Sequence, residues 1–93
     1  MINIMGYDYR VDRTADNLTM GAMGRCDSHK LIIQIANNSN PQQIQSTLIH
    51  EVLEALPFHL ELHLEHEKVC ALEVGLFQVL SSNGVDLTPL EKL

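Results

Sequence analysis

Basic residues are scarce in this chain: six Lys and Arg stand against twelve Asp and Glu, a formal charge of −6. Nucleic-acid and anionic-membrane surfaces need clustered Lys and Arg, so neither class of partner is expected. A bound divalent cation or a cationic partner suits the balance better. No apolar run approaches the eighteen or so residues of a membrane span. Met1–Arg10 has neither the basic start nor the long apolar stretch of a secretory signal, so the expected location is cytoplasmic. Cysteine is nearly absent too. Cys26 and Cys70 are far apart and form no CxxC pair, which predicts two reduced thiols and makes neither a metal ligand by spacing.

What is present is a hydrophobic share of 45% in 93 residues, enough for one globular domain over 1–93 and too much for disorder. A chain of this size buries a modest core, which a homodimer or a bound metal could reinforce. Strand-like material fills the first forty residues, over Ile2–Val11, Leu18–Cys26 and Lys30–Ala36. The last is the clearest, because LIIQIA is rich in β-branched residues between turn-formers. Cys26-Asp27-Ser28-His29 reads as a hairpin turn, and Gly21 and Gly24 as a bulge or a close backbone approach.

Asn37-Asn38-Ser39-Asn40-Pro41 is the strongest boundary. Asn40 suits a helix N-cap, Pro41 the first helical position and Gln43 the third position of a capping box. The helix is expected to run from Pro41 to about Leu56, with Pro57 as its stop. Ile44, Leu48, Ile49, Val52, Ala55 and Leu56 form its apolar side, with Thr47, His50 and Glu54 opposite and Glu51 at the border. Phe58–Glu65 alternates apolar and polar, which predicts an extended connection or a short edge strand. A second helix follows over about Glu65–Ser82, with Val69, Leu72, Leu76 and Leu80 at core spacing and Asn83-Gly84 as its end. Thr88–Glu91 could form one more turn. The expected fold is α+β: a small antiparallel sheet of about three strands, then two packed helices.

The chemistry concentrates in Thr47–Ala55, TLIHEVLEA. His50 and Glu54, one helical turn apart, leave the same face and form a natural metal chelate. In HExxH helices the Glu after the first His acts as general base on a water that the metal activates. Glu51 holds that position here. Glu54 replaces the second His; a carboxylate still binds zinc, but it weakens Lewis acidity and admits harder cations such as Mn²⁺. A third ligand is expected from the second helix, at His66 or Glu73. The competing account is a solvated helix face. His59, Glu61 and His63 form a further, weaker candidate set, while Asp27 and His29 read as turn residues.

These residues give the chain a resemblance to small phage- and prophage-encoded HExxH-type proteins, minimal zincins related in motif to the ImmA-type metallopeptidases. The resemblance covers roughly Leu31–Gly84: the strand LIIQIA, a polar loop, the helix TLIHEVLEAL, then LEHEKVCALEVGLFQVLSSNG. It implies a zincin-like core that binds zinc or Mn²⁺ through His50, Glu54 and His66 or Glu73. It further implies Glu51 as the base of a peptidase, with a peptide or protein as substrate. The alternative is a non-catalytic phage accessory or interaction protein that keeps a degenerate zincin core.

Overall fold

Why Ile2–Val11 cannot be one strand is visible at Gly6. In the computed structural model, which describes residues 1–13, 23–37 and 40–93, Met5 and Gly6 both have positive φ, 53° and 88°. Two consecutive left-handed residues make the tight turn whose twist suits a hairpin, and glycine takes that conformation without a Cβ penalty. The Asn3 side chain accepts the Gly6 N–H at 3.1 Å. The stretch therefore folds back as β1 (Ile2–Ile4) and β2 (Tyr7–Asp12), antiparallel with Ile4 opposite Tyr7.

A second hairpin joins β3 (Gly24–Asp27) to β4 (Ile32–Ile35). Its turn lies two residues later than expected, over 28–31, because Asp27 itself anchors it. The Asp27 carboxylate accepts the N–H groups of His29 and Lys30 at 3.1 and 3.0 Å. His29 is thus a turn residue, as its sequence setting implied, while Asp27 is the last residue of β3 and holds the turn from there. The expected strand over Leu18–Cys26 has its first half, Gly21 included, outside the described residues.

The sheet order is β1-β2-β4-β3. Two ladders are antiparallel as expected, but β2 pairs with β4 in parallel, with Val11 opposite Ile33, so the sheet is mixed. A four-stranded sheet followed by two helices packed on each other, α1 also covering the sheet, gives the expected α+β class.

The first helix, α1 (Pro41–Leu60), starts as its sequence dictates. The Asn40 side chain accepts the Gln43 N–H at 2.8 Å, and the Gln43 side chain accepts the Asn40 N–H at 3.0 Å. Both bonds satisfy donors that the first helical turn leaves free. Asn40→Ala is expected to cost about 1 kcal/mol, a fall of roughly 4–8 °C in melting temperature for a domain this small. An unchanged melt would show that the cap is not needed.

Pro57 does not stop α1. The helix runs through it to Leu60 and ends at Glu61, which adopts the left-handed conformation at φ 56°. An internal proline costs roughly 3 kcal/mol, and contacts beyond it offset that loss. His59 stacks on Tyr7 with centroids 4.5 Å apart and its Nε2 meets the Tyr9 hydroxyl at 2.5 Å. Phe58 packs edge-on against His29. Of the alternating stretch Phe58–Glu65, residues 58–60 therefore belong to α1 and Glu61 caps it, and the connection expected there is confined to 62–65. His59 is held by the tyrosines and does not join Glu61 and His63 in a chelating face.

The core lies between the sheet and α1, with Tyr9, Ile33, Ile35, Leu48 and Ala55 at its centre. The second helix, α2 (His66–Ser82), packs beside α1. Of its expected core stripe only Val69 is buried, whereas Leu72 and Leu76 are 49% and 41% exposed. Helix α2 has one neighbour where a core helix needs two, so most of its apolar residues stay at the surface. A 3₁₀ turn over Thr88–Lys92 closes against α1, where the Gln45 amide donates to Glu91 at 2.6 Å. No described helix is long and apolar enough to cross a membrane.

Candidate metal centre

The site forms where the polar face of α1 meets the start of α2. Helical spacing brings His50 and Glu54 together, with His50 Nε2 3.2 Å from Glu54 Oε1. From α2, His66 Nδ1 reaches the same Glu54 oxygen at 3.2 Å, and the two imidazole centroids are 5.1 Å apart. Glu73 arrives one turn back along α1, with Oε1 2.7 Å from His50 Nδ1. Its other oxygen accepts the Ser46 hydroxyl. The four residues marked out as ligands thus touch in a chain, Glu73 to His50 to Glu54 to His66, across two helices that run antiparallel here.

Their roles are not equivalent. Both Glu73 oxygens are engaged, one of them on His50 Nδ1. A carboxylate in that place fixes the ring's tautomer and leaves Nε2 to face a metal. Nε2 is the nitrogen beside Glu54. Among the described residues two groups of donors are close enough to share a cation: His50 with Glu51 and Glu54, and His50 with His66 and Cys70. Glu73 belongs to neither. Cys70, which sequence spacing to Cys26 gave no reason to notice, stands one helical turn after His66, with Sγ 3.4 Å from its Nε2. The HxxxC spacing on α2 was the available signal.

Glu51 is the least expected of these side chains. Instead of bordering a solvated face it is 2% exposed, and its Oε1 has no hydrogen-bond partner. Burial, then the nearby carboxylates of Glu54 and Glu73, push its pKa up to about 9. Arg25 opposes this only weakly. A buried carboxyl with an unpaired oxygen is costly, and three acidic side chains around His50 leave the site short of positive charge. A divalent cation answers both needs. Tetrahedral zinc with bonds of about 2.1 Å sets its donors roughly 3.4 Å apart. The separation of His50 Nε2 from Glu54, 3.2 Å, and that of His66 Nε2 from Cys70, 3.4 Å, each match that spacing for a pair of donors. The protein therefore has a His/Glu group that could hold a metal ion.

Strand β3 forms one wall. The cleft, of about 320 Å³, is lined by Met23 and Gly24 on one side and by Thr47, His50, Glu51 and His66 on the other. Gly24 is there because nothing larger fits. A Cβ on it would run into the Thr47 methyl and stand 2.7 Å from Glu51 Oε2. The close approach read from the sequence is thus the approach of β3 to the site helix. Gly24→Ala is expected to destabilise by about 1–3 kcal/mol through overpacking. It should also displace Glu51, seen as a changed pH dependence of the melt. A neutral Gly24→Ala would mean that α1 can simply move away.

Comparison with known family models, curated proteins and solved structures finds no match to this chain.

Proposed function

We propose that this protein is a metal-dependent hydrolase of minimal zincin type, acting on peptides. One observation carries the reading: Glu51 is buried with an unpaired oxygen directly beside the His50–Glu54 chelate. A glutamate kept dry and unpaired is a poor structural element, but it is what a general base beside a bound cation requires. In this assignment His50 and Glu54 are ligands, His66 is the third donor, and Glu73 holds the His50 ring with help from Ser46. A bound divalent cation supplies electrophilic activation of water and of the scissile carbonyl. Glu51 receives the proton of the attacking water, because a dication in the cleft favours its charged form. Zinc is the first choice of metal and Mn²⁺ the second, given the carboxylate among the donors.

A peptide substrate is supported by the wall of the cleft. Strand β3 pairs only with β4, so among the described residues its other edge is free to accept an extended chain by strand addition. A peptide laid there would pass over Gly24 and the cleft. The test is elemental analysis of untagged protein, followed by incubation of the metal-loaded form with a mixed peptide library read by mass spectrometry. Cleavage that depends on added metal is expected. Metal-loaded protein that cleaves nothing would leave the second reading, a metal-stabilised interaction scaffold. That reading is favoured by the exposed stripe of Leu72, Leu76 and Val79 on α2.

A further inference from the structure

The two imidazoles of the site are held alike. His50 has a carboxylate, Glu73, on its Nδ1 at 2.7 Å. His66 has a carboxylate, Glu54, on its Nδ1 at 3.2 Å. In each ring this leaves Nε2 as the nitrogen available to a metal. Beside the Nε2 of His66, at 3.4 Å, lies the thiol of Cys70, one helical turn along α2. His50, His66 and Cys70 can each offer one donor atom within 4.8 Å of the others. So α2 carries a chelating pair of its own, HxxxC, facing the HxxxE pair of α1.

We propose that Cys70 is a metal ligand, its thiolate completing a His50–His66–Cys70 donor set in which Glu54 and Glu73 hold the two rings. The inference rests on the metal-binding part of the function proposed above and changes its donor chemistry. A thiolate with two imidazoles selects zinc or cobalt over Mn²⁺ and Mg²⁺, which prefer oxygen. Binding replaces the thiol proton by the metal: the proton passes to solvent, an S–metal bond forms, and nothing is oxidised or reduced. Three protein donors leave one of four zinc positions open, as a hydrolytic centre needs. Cys26 is not a competing donor. It is partly buried, and burial pushes its thiol pKa up, away from thiolate.

Cobalt(II) titrated into the intact chain tests this. The bound form should show thiolate-to-cobalt charge-transfer absorption in the near ultraviolet. Cys70→Ser should lose that band and bind zinc about a hundredfold more weakly, while Glu54→Gln keeps the band. A wild-type cobalt spectrum without the band, unchanged in Cys70→Ser and lost in Glu54→Gln, would overturn the thiolate ligand and leave the His50–Glu54 site standing. A chain that binds neither cobalt nor zinc would remove both. A second measurement needs no change at Cys70. In a Cys26→Ser chain, zinc should slow the reaction of the single remaining thiol with an aromatic disulfide reagent, and a chelator should restore it. A rate indifferent to zinc would also overturn the proposal.

Discussion

Zinc at a hundredfold excess over its dissociation constant is expected to raise the melting temperature of the metal-free protein by roughly 10–20 °C, and His50→Ala to remove the effect. The size follows from linkage. A ligand that binds only the folded state at that excess contributes about 2.7 kcal/mol, and each kcal/mol moves a domain of this length by about 4–8 °C. His50 is the decisive position because it alone belongs to both donor groups around the site. It also helps to link α1 to α2, through Glu73. The variant should therefore melt somewhat lower even without metal, and differential scanning fluorimetry with and without zinc and a chelator separates the two effects. Identical melts of the wild-type protein in zinc and in chelator would sink the metal centre altogether.

Replacing Glu51 by Gln is expected to act in opposite directions on stability and on turnover. Folding raises the Glu51 pKa from its ordinary 4.5 to about 9. For an acid whose folded pKa is the higher one, the stabilising contribution is complete below about 4.5 and is lost as pH rises toward 9. The metal-free wild-type protein should therefore weaken across that window, by on the order of 3 kcal/mol between pH 4.5 and 7. Glu51→Gln places a neutral side chain of the same shape in the pocket. Its melt should lie above the wild type at pH 7 and should be nearly flat in pH where the wild type slopes. Metal affinity should stay within about tenfold, since the base faces water and not the cation, while hydrolysis falls by about 10²–10⁴-fold or more. Chemical denaturation at pH 5, 7 and 9 reads the first effect and peptide cleavage the second. A variant no more stable than wild type at pH 7 would mean that Glu51 is already ionised and paired. Unchanged cleavage would remove Glu51 from the chemistry.

Local signals in the sequence determined a good part of this protein. Asn40, Pro41 and Gln43 state where α1 begins, because capping and the fixed φ of proline act within four residues and need no partner from elsewhere. LIIQIA marks β4, and the i, i+4 spacing of His50 and Glu54 places them on one helix face whatever surrounds it. The same reasoning brought His66 and Glu73 into view as candidates, and the α+β class followed from the order of the elements. Tertiary structure decided the rest. Helix α1 passes Pro57 because Tyr7, Tyr9 and His29 wait for His59 and Phe58 beyond it, a gain that no window around the proline contains. The sheet is mixed because the β3–β4 hairpin inserts β4 beside β2, a choice between distant strands.

The division is sharpest at the site. Spacing made Glu51 look half-solvated, but β3 closes over it at Gly24, and that contact between residues 27 apart in sequence turns it into a buried, unpaired acid. Spacing could not say that both Glu73 oxygens would be engaged, by His50 and Ser46, or that the Cys70 thiol would stand beside His66 Nε2. One-dimensional periodicity says which face of a helix a residue is on. What that face meets is fixed by packing, and packing sets desolvation, the free valences of each oxygen and nitrogen, and therefore the chemistry.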